Sequence, residues 1–100
     1  MADTPEKKVK KKVATELASL GAYYFFPATG GFGSSGVPDI VGCLNGRFFG
    51  IECKAGQGKP TRLQLSHLNE IKMRGGVSIV VNEDNVAGLR ALLEKECLKI

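Results

Sequence analysis

Apolar positions near the start of the chain, Val9, Val13, Leu17 and Leu20, recur at the three- and four-residue spacing of a helix. Thr4 as N-cap, Pro5 in the first helical position and Gly21 as the stop signal predict a helix over 5–20. Residues 22–26 are aromatic-rich and read as a strand ended by Pro27, and 29–36 form a glycine-rich loop. Two further strand-like runs, 39–44 and 47–54, flank Asn45-Gly46, followed by a turn over 55–60. Thr61-Arg62-Leu63-Gln64 has the form of a capping box, and Leu65, Leu68 and Ile71 carry a helix to Gly75-Gly76. The β-branched run 77–81 suits a buried strand, and Asp84 or Asn85 can cap a last helix through Val86, Leu89, Leu93 and Cys97. The order is αβββαβα. A meander, a crossover helix and a fourth strand imply an α/β fold with a mixed four-stranded sheet flanked by helices.

The Asn-Gly dipeptide fixes more than the turn. It is the strongest short-range signal for a two-residue type I′ hairpin, which sets Leu44 opposite Arg47. Cys43, Gly42, Val41 and Ile40 then face Phe48, Phe49, Gly50 and Ile51, and Asp39 falls opposite Glu52 with Lys54 on the same face. Facing Cβ atoms lie roughly 5 Å apart. Two carboxylates near that separation repel by about 3 kcal/mol at an effective dielectric of ~20. Either a divalent cation between them offsets the repulsion, or they are a solvated pair half-neutralised by Lys54. A one-residue bulge at Gly42 or Gly50 would move Asp39 to the other face.

Composition narrows the function. One hundred residues with 43% hydrophobic content fit one domain with one sheet and two or three helices. A net charge of +4, with Lys7, Lys8, Lys10, Lys11 and Lys12 crowded together, suggests a polyanionic partner, although such a run also suits a solvated helix face. Glu6 precedes Lys10 in the favourable order for a helical ion pair. Cys43, Cys53 and Cys97 are widely spaced and joined by one histidine, His67, which argues against structural zinc and for reduced thiols in a cytoplasm-like compartment. His67 reads as structural or surface. Neither a signal peptide nor a membrane span is visible in the hydropathy pattern. Gly58-Lys59-Pro60-Thr61 is not a P-loop, because Pro60 separates the lysine from the threonine and Cys53 stands where the first glycine belongs. Lys59 and Arg62, at the start of a helix, instead read as a docking point for DNA phosphate, with Lys8 and Lys12 as further nonspecific contacts. The glycine-rich loop leads straight to Asp39 and reads as a DNA-contacting loop.

Gly36-Val37-Pro38-Asp39, Phe49-Gly50-Ile51-Glu52-Cys53-Lys54, Gly58-Lys59-Pro60-Thr61, Gln64 and Gly75-Gly76, in that order, resemble the virus-type replication-repair nuclease domain, VRR-NUC, of the PD-(D/E)XK nuclease superfamily. The likeness runs from the N-terminal helix to Val81. It implies a restriction-endonuclease-like core spanning 1–100 and a Mg²⁺- or Mn²⁺-dependent endodeoxyribonuclease. The short stand-alone members of phages and bacteria further suggest a homodimer acting on branched DNA such as four-way junctions. By the same resemblance, Asp39, Glu52 and the backbone carbonyl of Cys53 are metal ligands, and Lys54 stands by the attacking water or scissile phosphate. Gln64 orients the lysine or water, a role compatible with its place in a capping box. Glu16 matches the acidic residue of the first helix, and is equally an ordinary glutamate at the border of the apolar stripe. The rival class is a DNA-binding or architectural subunit that keeps the fold without catalysis, against which the intact Asp39, Glu52 and Lys54 argue.

Overall fold

A computed structural model of the chain describes residues 3–28 and 35–98. Its elements run α1 (Pro5–Leu20), β1 (Tyr23–Phe25), β2 (Ile40–Leu44), β3 (Arg47–Cys53), α2 (Arg62–Met73), β4 (Val77–Val81), a 3₁₀ turn (Val86–Gly88) and α3 (Leu89–Glu96). The sheet order is β1-β2-β3-β4, antiparallel through the meander and parallel between β3 and β4. This is the mixed four-stranded sheet flanked by helices that the pattern implied, consistent with a restriction-endonuclease-like core.

Local chemistry explains the boundaries. The Thr4 side chain accepts from the Lys7 amide, and Gly21 closes α1 in the left-handed conformation at φ 76°, where a Cβ would be strained. In α2 both halves of the capping box form: Gln64 N–H donates to Thr61 Oγ1, and Thr61 N–H donates to Gln64 Oε1. Asn45 and Gly46 take φ of 52° and 84°, the two left-handed residues that a type I′ turn demands.

The hairpin ladder runs from Ile40–Ile51 to Leu44–Arg47 with no bulge at Gly42 or Gly50. These glycines are there for space. A Cβ on Gly42 would lie 2.0 Å from the Tyr23 carbonyl oxygen, and one on Gly50 would lie 2.5 Å from Ile71. One face of the sheet carries Ile40, Leu44, Phe49, Ile51 and Cys53 into a core shared with Val9, Val13 and Leu17 of α1 and with Leu89 and Leu93 of α3. The opposite face carries Gly50 against Ile71 of α2 and, two residues on along the strand, Glu52. Each core side chain contributes roughly 1.5–3 kcal/mol by burial.

Three expectations are corrected. The last helix has no side-chain cap: Asn85 stands at the N-cap position of the 3₁₀ turn, but its side chain bonds the Asn82 amide and the Val80 carbonyl, the Asn82 side chain takes the Asp84 and Asn85 amides, and regular α-helix starts only at Leu89. The run Val77–Val81 is not buried throughout, because β4 is an edge strand and Ser78, Ile79 and Val80 are half-buried. Lys10 does not pair with Glu6, as described below. Most of the glycine-rich loop, residues 29–34, lies outside the described residues. Among the described residues no helix is long and apolar enough to cross a membrane.

The close approach at Gly42 gives a direct test. Gly42→Ala should destabilise the fold by about 2–3 kcal/mol or more in urea denaturation, because the added methyl meets backbone that cannot rotate away. Gly88→Ala, at a position where a Cβ meets nothing within 4 Å, should cost far less.

Candidate active site

Pro38 has no N–H to give to a ladder, and β2 begins only after it, at Ile40. Asp39 therefore sits in a bend just outside the strand, and its carboxylate turns back along the ladder. Its Oδ2 accepts the Cys53 amide at 2.8 Å, filling the place that a backbone carbonyl would take if pairing continued. Its Oδ1 lies 3.7 Å from the Lys10 ammonium of α1.

Glu52 is the buried member of the pair. It is 1% exposed, and neither carboxylate oxygen has a hydrogen-bond partner among the described residues. Burial first, and then the neighbouring Asp39 carboxyl, push its pKa up to about 8 from an ordinary value of 4.5, while the Lys54 charge pulls the other way. An unpartnered carboxylate in such a place is costly when ionised, so without a counter-charge the protein keeps it protonated near neutral pH. Lys54 follows the last residue of β3, its amide bonded to the Val81 carbonyl at 2.9 Å, and its side chain is half-buried beside Glu52.

The structure thus brings Asp39, Glu52 and Lys54 together at the ends of β2 and β3. The all-oxygen character of two adjacent carboxylates, one with both oxygens unsatisfied, fits a hard divalent cation such as Mg²⁺ or Mn²⁺. Cys53 offers no thiolate to such an ion: its side chain is in the apolar core, and burial pushes the thiol up to about 12. Only its backbone is at the site. Among the described residues no three His, Cys, Asp or Glu side chains gather where an ion could sit, so the side-chain share of a cation shell would be the two carboxylates.

Glu16 stands apart from them. It is 3.9 Å from Arg90 of α3 and lines a different cavity with Lys12, Thr15, Val86 and Ala87. Gln64 Oε1 is taken by the capping box, which leaves its amide nitrogen for other work. His67 holds the Ser35 carbonyl at 3.0 Å, a structural role at the end of the glycine-rich loop. Lys59, Arg62, Lys8 and Lys12 are exposed and make no ion pair among the described residues, whereas Lys7 and Lys11 both engage Asp3.

Lys10 is the residue at this site that sequence reasoning misplaced. Glu6 offered a local partner one helical turn away, yet the packing of α1 on the sheet through Val9, Val13 and Leu17 brings Lys10 to Asp39 instead. One signal was available: Lys10 follows Val9 and precedes Val13 by three residues, so it borders the buried stripe and not the solvent face.

No protein-family model matches the chain. A phage protein, "Putative nuclease p44" of Acyrthosiphon pisum secondary endosymbiont phage 1, is 31% identical over 87 residues, which cover 84% of this chain and 89% of the phage protein.

The raised pKa of Glu52 has a definite sign. Between 4.5 and about 8 the folded protein holds a proton that the unfolded chain has lost, so this contribution to stability is complete below 4.5 and disappears as pH rises through 8. In EDTA the thermal midpoint should fall between pH 5 and pH 9, by an amount equivalent to a few kcal/mol. Glu52→Gln should flatten that fall and raise the midpoint at pH 8.

Proposed function

The chain belongs to the family of the phage p44 protein, and we propose that it is a VRR-NUC-type, Mg²⁺- or Mn²⁺-dependent DNA endonuclease. The observation that carries this reading is the Glu52 carboxylate, buried with both oxygens unpartnered beside Asp39 and Lys54. A solvated surface pair would have no such unsatisfied oxygens. Asp39, Glu52 and the Cys53 carbonyl would hold the ion. Once bound, it supplies Lewis-acid polarisation of a phosphate and a water acidic enough to attack at neutral pH.

The remaining work falls to the chain itself. Asp39 is held by the Cys53 amide, so its other oxygen, which faces Lys10, keeps one direction without substrate. The Lys54 ammonium sits at the end of β3, where it can meet charge that builds on the phosphate as water adds and the P–O bond to the leaving oxygen breaks. The Gln64 amide, fixed at the first turn of α2 by its own cap, would orient the lysine or the water. Lys59 and Arg62 on one side, and Lys8 and Lys12 on the other, offer uncommitted charges to a DNA backbone. Glu16, paired with Arg90, is at most a remote water-mediated contact in this arrangement.

Branched DNA, such as a four-way junction, is the proposed substrate, and a homodimer the proposed assembly. Tyr23, Cys43 and Phe48 form one row across β1, β2 and β3, with Phe25 beside it. The three aromatic rings are 70%, 47% and 47% exposed in the order Tyr23, Phe25 and Phe48. At about 200 Å² per ring they present on the order of 300 Å² of apolar surface, the size of a functional patch. A second copy of the chain would cover it.

The reading is tested by incubating four-way junction, flap, duplex and single-stranded DNA with the protein in Mg²⁺, Mn²⁺ or EDTA. Junction cutting that requires metal and drops roughly a thousandfold in Asp39→Ala and Lys54→Ala is the expected result. Cutting unaltered in those variants would sink the mechanism, and tight binding without metal-dependent cutting would favour the architectural class. Light scattering at micromolar concentration should give twice the chain mass of 10.7 kDa, and a monomer with and without junction would remove the dimer.

A further inference from the structure

Five lysines crowd the first helix, but the structure treats them differently. Lys7 and Lys11 reach Asp3, at 3.9 and 2.6 Å, and Lys8 and Lys12 are exposed. Lys10 alone is sent to the proposed active site, 3.7 Å from Asp39 Oδ1, with its side chain 35% exposed and that of Asp39 23% exposed. It is not needed to aim the carboxylate, because the Cys53 amide already fixes the other oxygen at 2.8 Å. It is a counter-charge on a flexible four-carbon stem, anchored at its root by the buried neighbours Val9 and Val13.

We infer that Lys10 is a displaceable counter-ion that covers Asp39 in the metal-free protein and moves to the substrate phosphate when a divalent cation takes its place. This inference rests on the metal-dependent reading proposed above. Charge makes the exchange self-consistent. Without an ion, the Lys10 ammonium lies 3.7 Å from the Asp39 carboxylate, on the side that the Cys53 amide leaves open. A divalent cation at the carboxylates adds two positive charges beside the Lys10 ammonium, and like charges at such separations repel. The ammonium, on a side chain 35% exposed, has room to leave, and the anions it can then meet are Glu6, one helical turn back, and the phosphodiester drawn to the same ion. One side chain would therefore oppose metal binding in the free protein and favour DNA binding in the loaded one, a coupling of the two ligands through a single charge.

The test uses the full chain with Mn²⁺ alone, followed by DNA in Ca²⁺ so that binding is read without cutting. Lys10→Met should tighten Mn²⁺ in calorimetry by about three- to tenfold, since it removes a like charge and a competitor for Asp39. The same variant should bind junction DNA more weakly and lower the salt slope of binding by about one. Lys10→Arg, which keeps the charge, should restore the slope. Lys95→Met, on the exposed face of α3, should leave both Mn²⁺ affinity and the salt slope unchanged. Metal-free melting curves verify that each variant is folded. Mn²⁺ affinity equal to or weaker than wild type in folded Lys10→Met overturns the inference, as does an unchanged salt slope. If wild type binds no Mn²⁺, or binds it equally well after Asp39→Ala, the metal-dependent reading itself has failed and the inference with it. Normal metal binding and cutting with an unresponsive Lys10→Met overturns the inference alone.

Discussion

A two-residue turn governs the geometry of this molecule. Asn45 and Gly46 sit in left-handed conformations that bring the twist of the turn into line with that of the strands, and every pairing between β2 and β3 is counted from them. The turn is also tied down at a distance. The Asn45 side-chain amide donates to the Cys97 carbonyl at 2.7 Å, and Arg47 donates to the carbonyls of Gly75 and Glu96, at 3.0 and 2.6 Å. The turn therefore closes the hairpin locally and, with Arg47, caps two carbonyls at the end of α3, those of Glu96 and Cys97. A slip of one residue would reverse every side chain of the hairpin, sending Ile51 out of the core and Glu52 into it. The apolar core makes such a slip prohibitive, and the polar cluster at the far end inherits its register from that core.

The cluster at that far end is organised around an imbalance. Asp39 is well served, with the Cys53 amide on one oxygen and Lys10 near the other, while Glu52 has burial without partners. Structures seldom leave two buried oxygens unsatisfied, and those that persist call for an explanation beyond packing. Here no donor among the described residues reaches either oxygen, and the neighbouring side chain, Asp39, is itself a carboxyl, so the cost is borne as a raised pKa. The sheet absorbs that cost because β3 is held on both sides, by β2 and by β4.

Residues that act through their immediate neighbours were readable in the chain. Thr4, Pro5 and Gly21 bound α1, Thr61 and Gln64 start α2, and Asn45-Gly46 sets the register, because each determines a local backbone geometry that no distant contact overrides. What was not readable depends on where elements land. Lys10 had a plausible partner in Glu6 along the helix, and only the placement of α1 on the sheet decided for Asp39. The Asp39 carboxylate was expected across from Glu52, but its return to the Cys53 amide follows from the bend after Pro38, which ends the ladder one pair early. Val77–Val81 has the composition of an interior strand, and its edge position is a matter of topology that composition does not encode. The competition between Asn82 and the residues after it for the start of the last helix was likewise hidden among three similar side chains.

Ile51, Glu52 and Cys53 are consecutive, and each is at most 1% exposed. Alternation along the strand sends the outer two into the apolar core and the middle one to the opposite face. Three adjacent residues are thus buried, on both faces of the strand. A change of volume at Ile51 or Cys53 is transmitted through the peptide units that carry Glu52, so core substitutions there reach the carboxylate as well. Freedom returns at Lys54, where the strand has ended. The chain can alter the reach of that side chain without disturbing its interior, whereas the carboxylate before it is bound to the same fate as the core.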